Sequence, residues 1–291
     1  MGIRCNMQTR TRIIQPFIAI LATALTSTPT LRADENLYGT VRTAETLPKG
    51  HVDIYHTLQF NTGKEAGNYR AWESELEFEY GFSDQLQLSI GAVQRYHHVR
   101  SVPGLDDTNR YHFGGVVLSA KYRVLSPFKD VVGLALRLEG GYLPTDDVAG
   151  LEQEEFYINP SIILQKNFLD DTINVSFNIG AQMAWGKKPA EEYDYELALE
   201  QSFGISYRFA PNWYLGVEER FRSEYPEADL GFHEHTVMFV GPSLHYGAKG
   251  WWTTLQYGFQ VWGEEVDQTV RNKAFAEESR HEFRWKVGFS F

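Results

Sequence analysis

The 291-residue chain has one cysteine, Cys5, so neither an internal disulfide nor a cysteine-based zinc module can brace its fold. It also lacks a long apolar run. The best candidate, Ile13 to Leu25, is interrupted by Gln15 and Pro16 and falls short of the roughly 20 residues a membrane-crossing helix needs. Positive charge is scarce, with 27 Lys and Arg against 38 Asp and Glu. A nucleic-acid partner is excluded on that ground, because phosphate binding needs basic patches.

What the chain has instead begins with a leader. Arg4, Arg10 and Arg12 precede the short apolar stretch, and small polar residues follow as far as Leu31-Arg32-Ala33. This reads as a signal peptide over residues 1–33, cut near Ala33, and hence as an exported protein. Cys5 lies before the apolar stretch, where it cannot be the acylated cysteine of a lipoprotein. Four basic residues and no acids lie in the leader, leaving 23 against 38 and a mature net charge near −15. Residues 34–49 are read as a periplasmic N-terminal segment and 50–291 as the folded domain.

From Gly50 onward the dominant pattern is period-two alternation, the mark of a strand with two different faces. In the clearest stretch, Trp72, Ser74, Leu76, Phe78, Tyr80 and Phe82 share one face, and Glu73, Glu75, Glu77, Glu79 and Gly81 share the other. Twelve such strands are predicted, over 52–60, 72–82, 85–95, 113–124, 131–142, 156–168, 173–185, 193–209, 213–221, 232–246, 251–263 and 280–291. Short connections rich in turn residues, such as Ala210-Pro211-Asn212 and Gly247-Ala248-Lys249-Gly250, alternate with longer polar ones. The fold class implied is all-β: a transmembrane antiparallel up-and-down barrel of about 12 strands, with both termini periplasmic.

Alternation alone also fits a soluble barrel, so other features decide. Twelve strands enclose a lumen too wide for apolar side chains to fill. Most strands reach the 9–11 tilted residues that cross a bilayer. Aromatic residues gather near strand ends, at Trp72, Tyr80, Phe82, Trp185, Tyr193, Phe209, Trp213, Trp251 and Trp262, where a membrane interface would lie.

The last strand alternates Phe283, Trp285, Val287, Phe289 and Phe291 with polar or small residues and ends on Phe291. It resembles the C-terminal signal that delivers outer-membrane proteins to the barrel assembly machinery. Ala44-Glu45-Thr46-Leu47-Pro48-Lys49-Gly50 and the hairpin from Glu77 to Leu88 are similar to a poorly characterised group of proteobacterial barrels, related to the outer-membrane "meta" proteins of phenol-degradation clusters. That resemblance implies a small-molecule channel with no catalytic residues, and aromatic solutes.

On the inward face fall Glu73, Glu75, Glu77, Glu79, Glu139, Glu196, Glu200, Glu218 and Glu282, with Lys121, Arg123, Arg137, Arg208, Arg220, Arg222, Arg284 and Lys286. Unpaired carboxylates cannot stay dry at low cost, so the lumen is expected to be hydrated or cross-bridged. The first case predicts a passive channel for small solutes, with selectivity set by Glu73, Glu75, Glu77, Glu79, Arg137, Glu139, Glu196, Glu200, Glu218, Arg220 and Arg222. The second predicts a closed structural or surface-interaction barrel. Ser243 and His245 share a face and are the nearest approach to a hydrolase, but no third group is placed to orient them. No cofactor is implied. No metal set is complete either: the Glu73–Glu79 carboxylates diverge along their strand, and His233 with His235 lacks a third local histidine or cysteine. The expected partners are outer-membrane lipid, the assembly machinery and small solutes. His56 and Glu219 fall on the lipid face, where either strand displacement or a β-bulge is needed to explain them.

Overall fold

The computed structural model describes residues 36–189, 192–266 and 270–291, and the signal peptide expected over 1–33 lies outside them. Twelve strands run through the chain: β1 Val52–Thr62, β2 Asn68–Gly81, β3 Leu86–Arg100, β4 Thr108–Leu125, β5 Gly133–Thr145 and β6 Glu152–Phe168, followed by β7 Ile173–Lys187, β8 Asp194–Ala210, β9 Trp213–Pro226, β10 His235–Ala248, β11 Trp251–Glu265 and β12 His281–Ser290. Each pairs antiparallel with its neighbours in sequence, and β1 pairs with β12 from Asp53↔Ser290 to Thr62↔His281, which closes the barrel. Closure satisfies the backbone of every strand and leaves no edge.

The two faces divide as the alternation predicts. Leu76, Phe78 and Tyr80 are exposed on the outside of β2, whereas Glu77 and Glu79 are buried inside. Aromatic residues form two belts. At the short-turn end, Phe209, Trp213, Tyr246 and Trp251 make a continuous chain of ring contacts 4.7 to 6.4 Å apart. At the long-loop end stand Trp72 with Tyr96 and Tyr111, Tyr142–Phe156–Trp185, and Phe221 stacked on Trp262. An apolar band between aromatic girdles is what a lipid-embedded barrel requires.

The strands outrun their predicted ends chiefly at the long-loop side. β4 starts at Thr108 rather than Phe113, and β9 continues to Pro226 rather than Phe221. Ladder hydrogen bonds persist there although the apolar alternation has faded. Bulges shift the register at five places, including Val93/Gln94 opposite the Gly114–Gly115 pair and Met238/Phe239. Neither puzzling outer-face residue is explained by a bulge, since the pairings of His56 and Glu219 are unbroken at both. His56 is satisfied instead by a neighbour on the same face, its Nε2 2.7 Å from Ser74 Oγ.

Residues 36–49 correct the expected boundary. The sequence places them in a periplasmic segment ahead of the barrel, yet they run through its interior at the short-turn end. Tyr38 Oη donates to Asn174 on β7, Gly39 to Val41 meet β9, Ala44 packs on Ala135 and Ile163 of β5 and β6, and Leu47 reaches Gln87 on β3.

Candidate functional site: the lumen and its two closures

The interior segment forms neither strand nor helix, so its backbone donors must find partners other than a ladder. Lumen side chains supply them. The Glu218 carboxylate accepts the N–H groups of Gly39, Thr40 and Val41 at 2.8, 2.7 and 3.1 Å. Asn178 accepts from Arg42 N–H, Gln165 from Ala44 N–H and Gln87 from Leu47 N–H, at 2.7 to 2.9 Å. Two glycines make room. A Cβ at Gly39 would collide with Gln256, and one at Gly204 would stand 2.8 Å from the Tyr38 ring. Leu37, Tyr38 and Val41 form a small buried cluster beside Tyr214. From β12, Arg284 donates to Gly39 O at 3.1 Å and Lys286 to Asn36 Oδ1 at 3.0 Å.

The opposite end is narrowed by loops that fold inward. In the β5–β6 loop, Val148 O accepts from Tyr69 Oη and Asp147 O bonds His97. In the β11–β12 loop, Ala274 packs against Val237 and Phe239 inside the wall, and Lys64 Nζ donates to Ala276 O and Glu277 O at 3.0 and 2.6 Å. The sequence marks this stretch as the longest and most mobile loop. Its described residues 270–280 are instead drawn into the mouth, with Ala274, Phe275 and Ser279 buried.

Between the two closures lies a chamber of about 590 Å³, a size typical of small-molecule pockets. Among the described residues, twelve carboxylates line it against eight Lys and Arg. Most acids near the loops, among them Asp146, Asp147, Glu234, Glu277 and Glu278, lie far in sequence from the predicted selectivity row, whereas Arg42 of the interior segment, Arg284 and Lys286 gather at the other end.

The predicted lumen set is brought together only in part. Glu73 and Glu75 face the chamber, as do Glu139, Glu196, Arg220 and Arg222. Glu77 and Glu79, each 4% exposed, lie deeper and take the Tyr55 hydroxyl. Glu218 is spent on the interior segment. The charges form pairs: Arg95 with Glu73 at 2.8 Å, Arg137 with Glu139, Arg222 with Glu224 at 2.5 Å, and Arg220 with Glu282 at 2.6 Å and Glu200 at 4.0 Å. Arg42, Arg95, Glu224 and Glu278 were not predicted. For Arg95 the signal was its alternation with Val93 and His97. For Arg42 there was none, since it lies outside the alternating strands.

Ser243 and His245 are both buried on the inner wall, but His245 Nδ1 bonds Thr254 Oγ1 at 2.7 Å rather than Ser243. On β12, Phe283, Trp285, Phe289 and Phe291 point outward, while Glu282 and Lys286 point inward.

Residues 30–291 match one family throughout the barrel and its interior segment. The chain belongs to DUF6662, a family of unknown function. No curated protein sequence matches it. Among solved structures, the DUF6662 barrel is similar to the COG4313 outer membrane channel from Pseudomonas putida F1, with a TM-score of 0.61 and 12% identity over 89% of this chain and 100% of that one. It is also similar to the β domain of the Bordetella autotransporter BrkA, with a TM-score of 0.52 and 11% identity over 84% and 100% of the two chains. The NanC porin matches at 0.48, with 11% identity over 82% and 98%. At these identities the first two likenesses show a shared fold alone: the DUF6662 chain is a closed twelve-strand barrel of the outer-membrane type.

Proposed function

We propose that this protein is an outer-membrane channel for small polar solutes, with the short turns and both termini on the periplasmic side, reached by export through the signal peptide. Residues 36–49 serve as its inner gate. The observation that carries the reading is the chamber itself, a charged cavity held inside an apolar-faced barrel. A barrel built only to display loops has no need of a segment bound through side-chain acceptors across its lumen. The fold shared with a protein described as an outer membrane channel is consistent with it.

The lining sets the solute class. Carboxylates outnumber bases, and those nearest the loops form an acidic rim, which favours entry of cations and of solutes with cationic or hydrogen-bonding groups. Such a wall does not suit the uncharged aromatic solutes implied by the resemblance to phenol-degradation barrels. Glu73, Glu75, Glu196 and Arg222 are the selectivity residues of this reading, with Arg137, Glu139, Glu200 and Arg220 holding the wall in shape.

Refolding the mature chain in detergent and recording single channels in a planar bilayer tests it. Infrequent, cation-selective steps are expected, with selectivity reduced in Glu73→Gln/Glu75→Gln. A folded barrel that never conducts, even when the interior segment has been released, would transfer the weight to a closed structural barrel.

A further inference from the structure

At the loop end of the chamber, one buried histidine stands among carboxylates beyond hydrogen-bond distance. The register places Glu224 of β9 directly opposite His235, the first residue of β10. Glu224 gives Oε1 to Arg222 at 2.5 Å, and its second oxygen, Oε2, lies 3.7 Å from His235 Nδ1. On the other edge of the ring, Nε2 lies 3.9 Å from Glu278 Oε1. His235 is 4% exposed, and neither of its nitrogens makes a hydrogen bond. Glu234 completes the group: Glu224, Glu234 and His235 each present one ligand atom, all within 4.8 Å of one another.

Separations of 3.7 to 3.9 Å are too long for hydrogen bonds. The Glu224–His235 separation of 3.7 Å is close to the roughly 3.4 Å between neighbouring ligands of a tetrahedral zinc ion with bonds of about 2.0–2.1 Å. Asp194 and Glu277 add negative potential at Glu234, which strengthens the demand for a cation. Imidazole among carboxylates prefers zinc-like ions to calcium or magnesium. A carboxylate on the far ring nitrogen fixes the tautomer, and Glu278, 3.9 Å from Nε2, would close onto it once Nδ1 holds the metal.

We propose that Glu224, Glu234 and His235 form a binding site for a divalent transition metal, with Glu278 orienting the imidazole and the fourth position open to the chamber. Spacing along the chain offers no such set. The ligands meet because β9 pairs with β10, and the β11–β12 loop, turned inward, brings Glu278 to the far side of the ring. Bound metal would tie the segment ahead of β10 to β9 and place a fixed cation on the solute path.

The test uses the mature chain refolded in detergent, freed of metal and titrated with zinc by calorimetry, with cobalt absorption as a second readout. One zinc per chain is expected. Binding should weaken at least tenfold in His235→Ala and in Glu234→Gln, and stay unchanged in His281→Ala, a histidine exposed at the same end. Heat-modifiable gel mobility shows that each variant is folded, and Glu234→Gln, at a half-buried position, keeps the test open should His235→Ala fail to fold. Absence of zinc binding, binding indifferent to His235, or calcium bound as tightly as zinc would each overturn the site. The first result would leave protonated His235 as its own cation between Glu224 and Glu278. Because binding is read directly, it stands or falls apart from conductance.

Discussion

The gate reading makes Glu218→Ala the most informative single change. Glu218 is 2% exposed and holds three backbone N–H groups of the interior segment at 2.7 to 3.1 Å. Hydrogen bonds to a charged partner contribute about 1.5–3 kcal/mol each. The freed N–H groups regain water when the segment leaves, so the lower figure applies, and three bonds give about 4–5 kcal/mol. Each 1.4 kcal/mol is tenfold in an equilibrium constant, so the ratio of seated to released segment falls by about three orders of magnitude. Two assays read this. Single-channel openings at fixed voltage should become far more frequent, and trypsin should cut after Arg42, which the seated segment keeps beside Tyr55 and Asn178. Glu218→Gln keeps an acceptor without the charge and should fall between. Gly204→Ala, whose Cβ would press the Tyr38 ring from 2.8 Å, should move both readouts in the same direction. A folded Glu218→Ala barrel with unchanged openings and an uncut Arg42 would refute the clamp. Cleavage without conductance would keep the clamp and refute the gate.

Three further outcomes are expected. Arg220→Ala strands the buried Glu282 carboxylate that it meets at 2.6 Å and should lower unfolding stability by about 3 kcal/mol, read by denaturant titration of tryptophan fluorescence, with part of the loss recovered in Arg220→Ala/Glu282→Ala. Phe291→Ala should reduce the amount of barrel assembled in cells while leaving detergent refolding intact, because the ring is 70% exposed and the backbone bonds of residue 291 to Val52 are kept; equal losses in both would argue against an assembly signal. Burial holds the Lys64 ammonium below the usual lysine range, against the opposing pull of Glu278 and Glu277, so the unfolded chain binds that proton more tightly. Stability should therefore rise with pH between the folded value and the unfolded value of about 10.4, and Lys64→Met should flatten that rise in the denaturant midpoint.

The wall was legible in the sequence because a strand repeats every two residues and the lipid and lumen faces demand opposite side chains. Leu76 and Phe78 outside, with Glu77 and Glu79 inside, could be read from a dozen residues. Strand ends were less legible, since above the girdle of Trp72 and Tyr96 both faces meet water and the contrast fades while pairing continues. The partners of each charge were not legible at all. Arg220 on β9 meets Glu282 on β12, strands that are not neighbours in the barrel, and only closure of the sheet brings them together.

The interior segment was missed for a reason that can be turned into a signal. A chain crossing a lumen cannot join the ladder of the wall, so its N–H groups must be taken by side chains that the wall points inward. Acceptors serving water come as charge pairs, as Glu73 and Arg95 do. Acceptors serving a backbone need geometry more than charge, and here three of the four are neutral amides: Asn178, Gln165 and Gln87. All three belong to inward rows, and the segment they bind begins within twenty residues of the first strand. Glu218 was read as a selectivity carboxylate because its row is charged. Its neighbours in the same layer of the lumen, Gly204, Ser206 and Asn174, are small or neutral, and that layer is where a second strand of chain fits.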